Sequence, residues 1–112
     1  DRAAALDRVE GDRELLQKMF ALFSKQSQKL LGEIRDASDR RDGQALERAC
    51  HKLKGSVGNF GAHEAFAAAL RLEVMGREVD FAQSEETCTK LEKDVVCLGR
   101  ALTEFLTLDG VA

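Results

Sequence analysis

Apolar residues recur at intervals of three and four along most of the chain, which is the periodicity of amphipathic helices. This pattern predicts four long helices, over residues 13–39, 42–59, 63–75 and 80–107. Leu6 and Val9 indicate a shorter helix over residues 3–9, ahead of the others. Three aspartates are placed to cap long helices at their N-terminal ends: Asp12, Asp42 and Asp80.

The fourth long helix has the most regular apolar seam in the chain. Its members are spaced 3-4-3-4-3, the a/d repeat of a helix that packs at a shallow angle: Cys88, Leu91, Val95, Leu98, Leu102 and Phe105. The other long helices also need partners for their own apolar stripes, which favours an intramolecular bundle over a dimeric coiled coil. We therefore predict a single all-α domain over residues 1–112, an up-down antiparallel four-helix bundle with a short additional N-terminal helix.

The third long helix is the shortest of the four, and its inward face is predicted from its larger apolar residues. We expect that face to consist of Phe66, Ala69, Leu70 and Val74. Gly76 is then placed to close the helix as its C′ residue.

A helix over residues 42–59 would present His51 to solvent. Each residue turns a helix by about 100°, so the imidazole lies roughly 160° from the middle of the apolar stripe. Gly55 follows one turn after His51 and Gly58 two turns after it, on the same face. A glycine inside a helix costs about 1 kcal/mol relative to alanine. Two of them beside an exposed histidine therefore indicate that open access to the ring matters.

Two charged residues are predicted to lie near the same imidazole. Lys54 would place a fixed positive charge within reach of any group attached to the ring. Glu47, four residues before His51, is placed to accept a hydrogen bond from Nδ1 and orient the ring. A nucleophilic imidazole, an open approach and one ammonium group suit a site that carries a phosphoryl group. Leu22 lies off the apolar stripe of the first long helix and is a candidate for a docking surface.

The string His51-Lys52-Leu53-Lys54-Gly55-Ser56, followed by Gly61-Ala62, resembles the signature of histidine-containing phosphotransfer (HPt) domains. That signature is an H-x-L-K-G-S pattern with a downstream Gly-Ala. The likeness covers nearly the whole chain. Gly11-Asp12 resembles the family's entry to its second helix, and Leu72-Glu73 followed by Gly76-Arg77 resembles its L-E-x-x-G-R segment.

This resemblance implies a phosphocarrier domain, not an enzyme. His51 would accept a phosphoryl group on Nε2 from the aspartate of a response-regulator receiver domain and pass it to another receiver. The domain would need no cofactor of its own, because the receiver would bring Mg²⁺, and the chain has neither a P-loop nor a kinase signature. Lys54 would stabilise phosphoryl charge and Gly55 would keep the approach open. Docking or orientation is assigned to four further residues: Glu47, Ser56, Gly58 and Leu22.

Composition limits the kinds of partner and the cellular compartment that we expect. A net charge of -3 without any Lys/Arg block argues against nucleic acid as a partner. No apolar run is long enough for a membrane span and no signal peptide stands at the start. We therefore expect a monomeric cytoplasmic domain without membrane contact, either standing alone or forming the cytoplasmic part of a membrane-anchored kinase.

The cysteines agree with that setting. Cys50, Cys88 and Cys97 form no C-x-x-C pair, which favours a reduced environment. Cys50 stands where HPt domains more often have alanine, and both residues are small and apolar. A metal site made of Cys50, His51, His63 and Cys88 would fit no zinc pattern.

Two other functions remain open on the sequence alone. A helical module that only binds a partner would show the same apolar periodicity, but a phosphorylated receiver would leave it unlabelled. The phosphate-accepting N-terminal domain of a chemotaxis kinase shares an H-x-x-K-G pattern with this chain. The neighbouring domains of the full-length protein would distinguish that class.

Overall fold

The computed structural model describes residues 13–108, and these residues form helices joined by short turns, without a strand. The helices are α1 (Arg13–Arg40), α2 (Gly43–Gly58), α3 (His63–Glu78) and α4 (Ser84–Leu108). The four long helices predicted from the sequence are thereby confirmed. The short helix predicted over residues 3–9 and the cap predicted at Asp12 lie outside the described residues.

Each helix packs against its neighbours in the chain, and α4 completes the bundle by packing against α1. The connections are only two to five residues long, so the chain reverses between successive helices. All six members of the predicted α4 seam are buried: Cys88, Leu91, Val95, Leu98, Leu102 and Phe105. The seam is thus used within this bundle, as predicted.

The helix ends agree with the sequence at one predicted cap and differ at two other positions. Asp42 caps α2, because its Oδ1 accepts a hydrogen bond from the backbone N of Ala45 at 3.1 Å. The prediction for Asp80 is wrong, since α4 begins only at Ser84. Asp80 instead accepts a hydrogen bond from the backbone N of Ala82 at 3.2 Å, within the preceding turn.

Gly76 does not close α3, which is the second difference. The helix continues to Glu78, and the backbone becomes left-handed at Val79, with φ of 52°. Gly76 is buried where α2 and α3 cross, and a Cβ there would lie 2.6 Å from the carbonyl oxygen of Gly43. Glycine at position 76 therefore permits the close approach of the two backbones.

The inward face predicted for α3 is right at Ala69, which is buried, and wrong at the other three positions. Phe66 and Leu70 are 38% and 40% exposed, and Val74 is only half-buried. Because α2 and α3 approach closely, mostly small side chains fit between the helices. The buried face of α3 consists of Ala65, Ala68, Ala69, Leu72, Glu73 and Gly76. This rotation of α3 turns Glu73 toward α2 and its histidine.

Candidate functional site

The imidazole of His51 stands on the outer wall of the bundle, as the sequence predicts. Its side chain is 68% exposed. The opposite face of α2 is packed into the core through Leu46, Ala49, Leu53 and Val57. Because the helix is fixed on that face, the ring projects away from it into solvent.

Glu73, on α3, is the hydrogen-bond partner of this imidazole. Its Oε2 lies 2.9 Å from Nδ1 of His51. The Glu73 side chain is only 5% exposed, whereas the ring it holds is open to solvent. A carboxylate buried this deeply is rare without partners, so the pair joins a fixed anion to an accessible imidazole.

Lys54 completes the ion pairing of Glu73 from the next turn of α2. Its Nζ lies 2.7 Å from Oε1 of Glu73. The same ammonium lies 5.8 Å from the centre of the Phe66 ring. Lys54 and His51 thus contact the two oxygens of one carboxylate, which balances the charge of Lys54 and which the sequence did not identify as a partner.

These contacts determine the charge of Glu73. Burial alone would raise the pKa of this carboxyl. The Lys54 ammonium and the His51 hydrogen bond outweigh that effect and hold the pKa of Glu73 below its ordinary value. An ionised carboxylate only accepts hydrogen bonds, so Nδ1 of His51 carries the proton. The lone pair of a neutral ring is then left on Nε2, the atom needed for nucleophilic attack.

Glu47 does not orient the ring, which corrects the sequence-based prediction. Its Oε2 accepts a hydrogen bond from Nε of Arg77 at 2.9 Å. Nη2 of the same Arg77 lies 3.6 Å from Oε2 of Glu73. Glu47 therefore belongs to an ion pair between α2 and α3, beside the group that holds the ring.

The approach to the ring is open at Gly55. A Cβ built there would meet nothing within 4 Å, whereas one at Gly58 would lie 3.7 Å from the Phe66 ring. Ser56 donates a hydrogen bond to the carbonyl of Lys52 at 3.4 Å and points back along its own helix. Leu22 lies on α1, on the other side of the α1–α2 seam, and is 57% exposed. The open face therefore extends from Gly55 toward α1.

Two of the three cysteine thiols lie in the core of the bundle, and the third, Cys97, is exposed on α4. Cys50 and Cys88 are buried, and burial raises the pKa of both thiols. His63 is exposed in the first turn of α3. Among the described residues, no group of three or more His, Cys, Asp or Glu side chains is arranged to hold a metal ion.

The candidate site therefore consists of His51, Lys54 and Glu73, together with the open backbone at Gly55. None of the helices in residues 13–108 is long and apolar enough to cross a membrane.

The model of the Hpt domain family matches residues 18–106 of this chain. Comparison with curated proteins and with solved structures yields no match.

Proposed function

The chain belongs to the Hpt domain family, and on this premise we propose that it carries a phosphoryl group on Nε2 of His51. Hpt domains are phosphocarriers of two-component signalling and interact with receiver domains of response regulators. The observation that supports His51 is its hydrogen bond from Nδ1 to Glu73, which leaves Nε2 free on an exposed ring. In the proposed relay, one receiver donates the group and another accepts it.

The transfer step needs only the receiver's aspartyl phosphate and this ring. The Nε2 lone pair attacks the phosphorus, an N–P bond forms, and the P–O bond to the aspartate breaks. The carboxylate of the receiver leaves with the electron pair. The ring becomes cationic, with its proton on Nδ1 facing the carboxylate of Glu73. That carboxylate stabilises the positive charge that develops in the transition state. Transfer to the second receiver reverses these changes.

Lys54 and Gly55 have supporting roles in this proposal. The transition state of phosphoryl transfer is loose and depends on positioning and on charge stabilisation. Lys54 would contribute the smaller share of that stabilisation, because Glu73 already balances its ammonium group. Gly55 would let the receiver pocket reach the ring. The receiver would supply Mg²⁺, and transfer would take place in the cytoplasm, with the domain acting as a monomer.

The test is transfer from receivers that carry a labelled aspartyl phosphate. Label should appear on the wild-type domain, and it should be acid-labile and base-stable as expected for a phosphohistidine. His51→Gln should stay unlabelled with unchanged helicity, while the matched variant His63→Gln should accept label normally. An interaction module without chemistry predicts no label on any of the three proteins.

A further inference from the structure

A groove runs along the seam between α1 and α2, on the flank of His51 that faces away from Glu73. It consists of three adjoining pockets of about 230, 300 and 100 Å³. Glu33 and Lys52 line both the first and the second pocket, and Gln26 and Ser56 line both the second and the third. The pockets therefore form one continuous depression beside the reactive ring.

One end of this groove is cationic. Two carboxylates line it, Glu33 and Asp36, together with a larger set of cations: Lys29, Arg40, Arg48 and Lys52. Arg40 is already paired with Asp36 at 2.9 Å and with Asp42 at 3.5 Å. Within the described residues, the other three cations have no carboxylate within ion-pair distance. Glu33 is also without an ion-pair partner among the described residues, so three unpaired cations face one unpaired carboxylate in the groove. The groove thus carries an excess of positive charge on a chain whose net charge is -3.

The other end of the groove is apolar. Met19, Leu22, Phe23 and Phe60 line the third pocket, and Leu22 is more than half exposed. The α3 flank of His51 differs, because its charges already have partners. Lys54 is paired with Glu73, and Arg77 is paired with Glu47. Phe66 is exposed on the α3 flank, but it lies beside Lys54, whose charge is already paired. Among the described residues around His51, the α1–α2 flank is therefore the one that combines unpaired cations with an exposed apolar residue.

We infer that the cations Lys29, Arg48 and Lys52 select which receiver domains dock on His51. The fitting partner presents carboxylates to these three residues and an apolar side chain to Leu22. This inference rests on the proposed function, since the partner is a receiver. Opposite charges on the two surfaces accelerate encounter and exclude receivers that are basic around their aspartate pocket. Because the cations are exposed, dissolved salt screens the attraction.

The experiment compares two variants that change the net charge equally. Arg48→Glu/Lys52→Glu reverses the charge of two groove residues. Lys93→Glu/Arg100→Glu reverses the charge of two exposed residues on α4. The donors are the receiver domains encoded by the source genome, each loaded with acetyl phosphate. We expect the second-order transfer rate of the wild-type domain to fall about tenfold between roughly 50 and 300 mM salt. The groove variant should be about tenfold slower at low salt and nearly insensitive to salt, and the α4 variant should match wild type.

Phosphoramidate serves as a small donor that does not dock. Equal labelling of His51 by phosphoramidate in all three proteins would show that the groove variant loses receiver docking and keeps the reactivity of its imidazole. The inference is overturned if both variants slow transfer equally, since the change in net charge would then be enough to explain the slower transfer. It is also overturned if the groove variant keeps the wild-type rate and salt dependence. Failure of the proposed function has a different signature, because no receiver would then label wild-type His51.

Discussion

Nδ1 of His51 lies 2.9 Å from Oε2 of Glu73, a residue 22 positions further along the chain and on a different helix. The contact joins an imidazole that is 68% exposed to a carboxylate that is 5% exposed. Since the carboxylate is ionised, it fixes the proton on Nδ1 and directs the Nε2 lone pair outward. The bundle thereby leaves one nitrogen of an exposed ring free for nucleophilic attack.

Replacing this carboxylate should slow phosphoryl acceptance. Glu73→Gln preserves size and removes the negative charge that faces Nδ1. We expect receiver-dependent labelling of His51 to slow by about 10- to 100-fold, the loss typical when the partner that orients a metal-bound histidine is removed. Glu47→Gln is the control, because that carboxylate bonds Arg77 and not the ring. Equal slowing in both variants would contradict the role assigned to Glu73.

The stability of the fold should depend on the ionisation of Glu73. Its pKa is lower in the folded protein than the ordinary glutamate value of about 4.3. The ionised group therefore adds stability above that ordinary value, and this contribution is lost as the pH falls through the folded-state pKa. Urea unfolding should show wild type losing more free energy than Glu73→Gln as the pH falls from about 6 to about 3. Parallel losses in the two proteins would show that Glu73 is not coupled to folding.

The bare backbone at Gly55 predicts opposite effects on stability and on transfer. Gly55→Leu should fold and gain up to about 1 kcal/mol, because leucine favours helix more than glycine does. Its side chain would nevertheless obstruct the approach of a receiver to His51, so transfer should slow strongly. Gly99→Leu on α4 is the matched control, as a Cβ there also meets nothing within 4 Å. Normal transfer by Gly55→Leu would refute the open-approach argument.

Gly76 should be essential for packing α3 against α2. A Cβ at this position would lie 2.6 Å from the carbonyl oxygen of Gly43 and 2.8 Å from the backbone N of Glu47. We expect Gly76→Ala to cost about 1–3 kcal/mol in denaturant unfolding, because backbone atoms must move apart. Gly32→Ala, in open space on α1, should instead gain about 1 kcal/mol. A neutral Gly76→Ala would remove the close-approach explanation for the rotation of α3.

The sequence was sufficient to predict the four long helices, the exposure of His51 and the buried α4 seam. Each of these depends on the periodicity of apolar residues within one helix. Leu46, Ala49, Leu53 and Val57 alone determine which way His51 faces. The resemblance to HPt domains, drawn from the string around His51, agrees with the family match over residues 18–106.

The periodicity of apolar residues could not predict the orientation of α3. Phe66 and Leu70 are the larger apolar residues, so burial was assigned to them. The close crossing of Gly43 and Gly76 instead favours mostly small side chains at the contact, and Phe66 and Leu70 lie on the flank. The contact of Glu73 with His51 was not predicted, because it joins two helices and periodicity describes one helix at a time. The one available signal was its place in the segment that resembles L-E-x-x-G-R.

The most direct measurement is heteronuclear NMR of the His51 ring, before and after phosphorylation. In the free protein, the neutral ring should carry its proton on Nδ1 in hydrogen-bonding contact with Glu73. In the phosphorylated protein, phosphorus should couple to Nε2 of the same ring. A neutral ring that carries its proton on Nε2, or phosphorus bonded to Nδ1, would contradict the account.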